Sequence, residues 1–156
     1  AASDVYKRQI IGIGHFPAAG MQIDCKGLDI LPGVIDSQVH FREPGLEHKE
    51  DLETGSIAAV LGGITAVFEM PNTTPNTDSA NRVEDKLSRA HHRMYCDHAF
   101  YVGATDANVS ELADLERIPG TAGIKVFMGA STGDLLVAED RSLALAEPRR
   151  TRRHLL

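Results

Sequence analysis

The sequence predicts an α/β fold: a partial (β/α)8 TIM barrel of about four strand–helix units, preceded by a few short strands. Strand-like and helix-like patterns alternate along the chain between Leu28 and Met128. Polar residues fall within or directly after the strands, where barrels of this type collect their functional groups. The chain has 156 residues, whereas a complete barrel needs about 250. The sequence therefore accounts for about half of a barrel.

The alternation depends on apolar runs and on the residues that end them. Strands are predicted over four such runs, at 34–41, 65–70, 99–103 and 123–128. Helices are predicted between the strands, at 49–61, 78–94 and 109–118, and the charge of the second suggests an outer position. A doubly wound parallel sheet would show the same alternation. The placement of the polar residues favours the barrel.

Four segments are expected along the chain. Residues 1–9 show no strand or helix periodicity and are expected to be a non-native scar joined to the coding sequence. Residues 10–31 contain two short apolar runs, at 10–14 and 21–25, and are expected to be strands of a small β-sandwich. The barrel half is expected over 32–138. Residues 139–156 are expected to be a basic tail, truncated or out of frame.

Composition and charge favour a cytoplasmic protein and disfavour a nucleic-acid binder. The net charge is −6, and because residues 141–156 carry +4, the rest of the chain carries −10, which disfavours a nucleic-acid partner. No apolar run reaches the roughly 18 residues of a membrane-spanning helix, and we expect no membrane association. Cys25 and Cys96 are far apart, as expected for two free thiols.

Three polar side chains alternate along the first predicted barrel strand. Asp36, Gln38 and His40 share one face, because side chains of a strand alternate with period two. We expect this face to be buried, and a buried imidazole needs a hydrogen-bond partner or a metal ion. His40 is therefore a candidate metal ligand, and a hydrogen bond between His40 and Asp36 is the structural alternative.

Further candidates lie at the ends of other strands. Lys125 stands among apolar residues, where burial would favour a neutral amine, and either an ion pair or a carbamate that binds metal would explain it. Arg42 directly follows the His40 strand and suits a substrate carboxylate, although pairing with Glu43 or Asp51 is equally open. The amide of Asn72, after the next strand, is suited to orienting a polar ligand.

These residues lie in a series of motifs that resembles the amino-terminal third of class I dihydroorotases, which are metal-dependent cyclic amidohydrolases. The resemblance covers roughly 27–137 and is carried by 31–36, 40–45, 49–51, 54–56, 62–65 and 70–73. Residues 123–128 resemble the strand that bears a carboxylated lysine in dihydroorotases and hydantoinases. The resemblance implies the reversible conversion of N-carbamoyl-L-aspartate to dihydroorotate in pyrimidine biosynthesis.

The resemblance also implies roles for single residues. His40 would bind zinc, carbamylated Lys125 would bridge two zinc ions, and Arg42 and Asn72 would hold the substrate carboxylate. The family usually has histidine where this chain has Gln38, an amide that binds zinc weakly, so one metal position is expected to be weak or empty. The general base is expected beyond residue 156, and the chain alone is expected to be inactive.

Three alternatives remain open from the sequence. Loss of the first motif histidine would fit a non-catalytic dihydroorotase homologue that is a structural partner of aspartate transcarbamoylase. Allantoinase and hydantoinase are the other enzyme alternatives, which Arg42 disfavours because allantoinases usually have asparagine there and hydantoinases a different loop. A homo-oligomer is a further possibility for the assembly.

Overall fold

The computed structural model describes residues 2–6, 9–17, 20–128 and 135. The chain divides into two compact units, Ala1–Val34 and Ile35–Leu156. The elements are, in chain order, β1 (Ala2–Tyr6), β2 (Gln9–Gly14), β3 (Val34–Val39), α1 (Leu52–Leu61), β4 (Ile64–Glu69), α2 (Ala80–Ala90), β5 (Asp97–Gly103), α3 (Leu112–Leu115) and β6 (Thr121–Lys125).

The first unit contains a two-stranded antiparallel sheet. β1 pairs with β2 from Ala2 opposite Gly14 to Tyr6 opposite Gln9. The first of the two predicted short strands is confirmed as β2, whereas the one predicted at 21–25 is wrong, because those residues are not in a strand. β1 was not predicted. Its pairing rests on backbone hydrogen bonds, which do not require a periodic pattern of side chains.

The second unit is built on a four-stranded sheet in the order β3-β4-β5-β6. The pairs β4–β5 and β5–β6 are parallel, and α1, α2 and α3 lie between successive strands of the chain. Strand order follows chain order, whereas a doubly wound sheet reverses its order at a switch point. The predicted partial barrel is therefore confirmed, with α3 reduced to a single turn. None of the described helices has the length and apolar character needed to span a bilayer.

The helices cover the sheet through two apolar clusters. One is formed by buried residues of α1, β4, α2, β5 and the loop after β3: Phe41, Leu52, Val67, Ala90 and Phe100. The other joins α2, the end of β5 and α3: Val83, Val102, Ala104, Leu112 and Leu115. The outer position predicted for the second helix is only partly right, because one face of α2 is buried. That buried face includes a lysine, Lys86.

α1 begins at a capping box. Thr54 N–H donates to Asp51 Oδ1 over 2.7 Å, and Asp51 N–H donates to Thr54 Oγ1 over 3.4 Å. These bonds satisfy backbone donors that the first turn of a helix otherwise leaves free. The backbone N–H of Thr54 lowers the pKa of Asp51 from its ordinary value of 3.8. Asp51 therefore stabilises α1 in its ionised form.

Replacing the cap should destabilise the chain in a pH-dependent way. Asp51→Ala is expected to lower the free energy of unfolding by about 1 kcal/mol at neutral pH. A carboxyl with a lowered folded pKa stabilises the fold above its unfolded pKa, and this contribution is lost as the pH falls through the folded pKa. The deficit in urea unfolding should thus shrink below the ordinary pKa of 3.8.

The control for this experiment is Asp114→Ala, which removes an exposed ion pair with Arg117. An exposed pair contributes less than about 1 kcal/mol, so only a small loss is expected. An Asp51→Ala deficit that stays constant down to about pH 2 would contradict the capping role.

Candidate active site

The carboxyl ends of β3 and β4 lie side by side, and their loops are joined. Met70 N–H, directly after β4, donates to the Val39 carbonyl at the end of β3 over 3.0 Å. Farther out, Thr74 N–H donates to the Pro44 carbonyl over 2.9 Å. Gly45 has a φ of +90°, and a Cβ there would collide with the Thr74 backbone, so this close approach requires glycine. The loops that carry the predicted site residues are thus held together.

His40 lies just beyond β3 and is half-buried. Burial lowers the pKa of His40, and the positive charge of Arg42 lowers it further. A hydrogen bond with Asn72 raises the pKa in part, while the charges of Lys125 and Lys86 again lower it. The imidazole is therefore neutral at neutral pH, which is the form that binds metal ions. The other three residues predicted for the site, Arg42, Asn72 and Lys125, thus all act on His40.

The candidate carboxylate partners of Arg42 are bound elsewhere. Glu43 pairs with Arg93, with Nη1–Oε1 at 2.7 Å and Nη2–Oε2 at 3.1 Å. Asp51 caps α1 through Thr54. Among the residues that the structure describes, no carboxylate forms an ion pair with Arg42. The question left open by the sequence is answered against both partners, and the Arg42 side chain is half-buried.

Lys125 is the last residue of β6. Its Nζ lies 5.2 Å from the centroid of the Phe127 ring, within the range of a cation–π contact. No carboxylate in the described ranges pairs with it, so the ion-pair alternative finds no support there. The enclosure expected from its apolar neighbours is incomplete. Lys125 is half-buried, and within the described ranges β6 has only β5 as a neighbouring strand.

The expectation that Asp36 and Gln38 share a buried face with His40 is wrong for this structure. Both side chains are exposed, and Asp36 Oδ1 accepts a hydrogen bond from the backbone N–H of Gln38 over 3.0 Å instead of from His40. Among the described strands β3 lies at one end of the sheet, and residues 34–38 are all exposed. Of these three polar residues, His40 alone is half-buried, and it belongs to the polar cluster that we define as His40, Arg42, Asn72 and Lys125.

Sequence reasoning missed the buried ion pairs that border this cluster. Lys86 on α2 donates to the Glu69 carboxylate at the end of β4, and also to the Met70 carbonyl over 3.1 Å. Burial raises the pKa of Glu69 to about 7 against the opposing charge of Lys86, and burial lowers the pKa of Lys86. A signal was present, since Lys86 is three residues after Val83 and four before Ala90, on the apolar side of the helix.

The described residues do not by themselves form a complete metal site. Nowhere in the described ranges do three histidine, cysteine, aspartate or glutamate side chains lie close enough to hold an ion. A catalytic zinc ion usually has three protein ligands. His40 and Lys125, the two residues predicted to bind metal, would supply only part of a ligand set, and Gln38 is exposed to solvent.

Comparison with known proteins identifies the family. Residues 27–127 match the family model described as "Dihydro-orotase-like". The chain belongs to the dihydroorotase-like family. The resemblance inferred from the motifs is thereby confirmed.

Three relatives of this dihydroorotase-like chain show how much of the family it spans. It is 42% identical to the dihydroorotase of Methanothermobacter thermautotrophicus over 133 residues, which is 83% of this chain and 30% of that protein. It is 38% identical to the allantoinase of Deinococcus radiodurans, covering 87% of this chain and 30% of that one. The solved L-hydantoinase (dihydropyrimidinase) from Arthrobacter aurescens matches with a TM-score of 0.67 and 32% identity, over 73% of this chain and 26% of that chain. The chain thus spans under a third of these relatives.

Breaking the pair of Glu69 and Lys86 should destabilise the chain more at high pH. Lys86→Met leaves a buried carboxyl without its cation, which is expected to cost about 3–5 kcal/mol when that carboxyl is ionised. A carboxyl whose folded pKa exceeds the unfolded value of 4.5 binds a proton on folding, so its unfavourable effect grows as the pH rises through that range. The loss measured by urea unfolding should therefore be larger at about pH 8 than at about pH 5.

The matched control is the double variant Glu69→Gln with Lys86→Met, which removes both charges. Its free energy of unfolding should differ less from that of the unmutated chain than that of Lys86→Met does. The pH dependence seen in Lys86→Met should also disappear. If the single and double variants lose the same stability at every pH, the pair is not coupled.

Proposed function

We propose that this chain forms the amino-terminal part of a dihydroorotase that interconverts N-carbamoyl-L-aspartate and dihydroorotate in pyrimidine biosynthesis. The observation that carries the proposal is the state of Arg42. Its positive charge acts on His40, which is hydrogen-bonded to Asn72, and the carboxylates of Glu43 and Asp51 are bound by other partners. In a family that acts on cyclic amides, the planar guanidinium of Arg42 is suited to binding a substrate that carries a carboxylate.

Each residue of the cluster has a proposed task. Arg42 binds the substrate carboxylate with two parallel hydrogen bonds, and Asn72 orients the same end of the ring. His40, held neutral by burial and by the nearby positive charges, offers a ring nitrogen as a ligand. Lys125, at the end of β6, is the proposed site of carbamylation. This division of tasks separates substrate recognition, on the loops after β3 and β4, from metal binding.

Zinc is the proposed cofactor. When bound, it would supply a Lewis acid that polarises the ring carbonyl. His40 and Lys125 are the described residues that would contribute to its binding, and the remaining ligands and the general base would come from outside them. With Gln38 in place of a histidine, we propose that one of the two metal positions is weak. We also propose a cytoplasmic location and a homo-oligomeric assembly, as expected for the family.

Two other functions have a specific observation in their favour. The allantoinase of Deinococcus radiodurans is nearly as similar as the dihydroorotases, which supports a cyclic ureide without a ring carboxylate as an alternative substrate. Gln38 favours a non-catalytic homologue that binds aspartate transcarbamoylase. The first alternative predicts that Arg42 is dispensable, and the second predicts no turnover.

The proposal is tested by transplanting the segment into an enzyme. In a chimera, residues 27–127 replace the matching segment of the dihydroorotase of Methanothermobacter thermautotrophicus. With zinc and bicarbonate present, the chimera should convert dihydroorotate to N-carbamoyl-L-aspartate. Arg42→Met should raise the KM for dihydroorotate by at least about tenfold, because a charge-assisted bidentate contact is lost.

The matched control is Arg117→Met, which removes an exposed arginine that pairs with Asp114 away from the cluster. It should leave both kcat and KM unchanged. A folded chimera that turns over allantoin or hydantoin but not dihydroorotate, or one with no activity on any of the three, would overturn the proposed function.

A further inference from the structure

Arg42 has a backbone conformation that a non-glycine residue does not keep without support. Its φ is +64°, in the left-handed region that side chains with a Cβ disfavour. Such residues persist where their surroundings fix them, and they concentrate at functional sites. The groups that fix Arg42 therefore bear on its function.

The neighbours of Arg42 on both sides are buried anchors. Phe41 packs in the apolar cluster beneath α1, and Glu43 is only 3% exposed. The Glu43 carboxylate accepts hydrogen bonds from both terminal nitrogens of Arg93, at 2.7 and 3.1 Å, and from the Leu52 backbone N–H at 3.1 Å. Arg42 thus lies between an apolar anchor and a fully bonded carboxylate.

The ion pair of Glu43 and Arg93 also decides where charge is available. A buried carboxylate without a cation is strongly unfavourable. Without Arg93, the Glu43 carboxylate would have the adjacent Arg42 as the nearest cation in the sequence. Arg93, which follows α2, supplies the fork that Glu43 needs, and Arg89 adds a second cation at 3.7 Å. With Glu43 neutralised in this way, Arg42 forms no ion pair within the described ranges, and its charge acts on His40.

We propose that Glu43 and Arg93 are positioning residues for Arg42. Their buried ion pair holds the loop in the conformation that presents the Arg42 guanidinium to the site, and it keeps the Glu43 carboxylate from capturing that guanidinium. The effect on substrate binding rests on the proposed function, whereas the effect on the loop does not. Glu43 and Arg93 touch no substrate in this proposal and act through Arg42.

Hydrogen exchange in the full 156-residue chain tests the effect on the loop. The Leu46 N–H donates to the Arg42 carbonyl over 3.1 Å and therefore reports on the loop. In Arg93→Met its exchange should become at least about tenfold faster, while the Val67 amide in β4 should keep its rate. Arg93→Lys, which keeps the charge but loses the fork, should fall between. Unchanged exchange at Leu46 would overturn the proposal.

Kinetics of the chimera test the effect on substrate binding. Arg93→Met should raise the KM for dihydroorotate by at least about tenfold and change kcat by less than about threefold, and Arg93→Lys should recover part of the loss. Arg117→Met should behave as the parent. If Arg93→Met fails to fold, Glu43→Gln, which keeps the shape of the side chain, should also raise the KM, by a smaller factor.

The two proposals fail in different ways. A parent chimera without activity removes the proposed function, and the exchange experiment then still decides whether the ion pair holds the loop. A stability loss with unchanged KM in an active chimera shows a purely structural role for Arg93 and overturns the positioning proposal.

Discussion

The buried carboxylate of Glu43 imposes the constraint on which the rest of the site depends. A charge removed from water must be neutralised and hydrogen-bonded, or the fold loses several kcal/mol, on the order of 3–5. Glu43 meets this requirement with Arg93, fifty residues later in the chain. The contact fixes the loop after β3 against the end of α2. It also explains why a tight turn containing a left-handed arginine is stable next to the sheet.

α2 also supplies the cation for a second buried carboxylate, that of Glu69 at the end of β4. Lys86, Arg89 and Arg93 are spaced by three and four residues, so the cations of α2 and of the turn after it face one side. Lys86 neutralises Glu69 at the end of β4, and the other two neutralise Glu43. α2 and the turn after it therefore supply the cations that neutralise the carboxylates at the end of β4 and in the loop after β3.

Much of the fold followed from the sequence, because it rests on local patterns. Apolar runs and the glycines and prolines that end them located every strand of the parallel sheet. The antiparallel strand β1 was not found, since it has no pattern of its own. For the site, residue type and position after a strand selected His40, Arg42, Asn72 and Lys125; the last three act on His40, and the roles of all four stay predictions. The burial of Asp36 and Gln38 was wrongly expected, because alternation gives a common face but not what covers it.

The positioning network could not be derived in the same way. Glu43 and Arg93 are far apart in sequence, and each alone is an ordinary surface residue type. Pairing over such a separation depends on how α2 docks on the sheet, which no local pattern specifies. Lys86 is the exception, because its spacing from the apolar residues of α2 is enough to mark it as buried.

Recognition of a carboxylate by Arg42, at the ends of β3 and β4, is best tested by calorimetric titration of the chimera with orotate and with its uncharged carboxamide. Orotate is expected to bind at least about tenfold more tightly than the amide, a difference of roughly 1.4 kcal/mol. Equal affinity for the two compounds would contradict carboxylate recognition by Arg42.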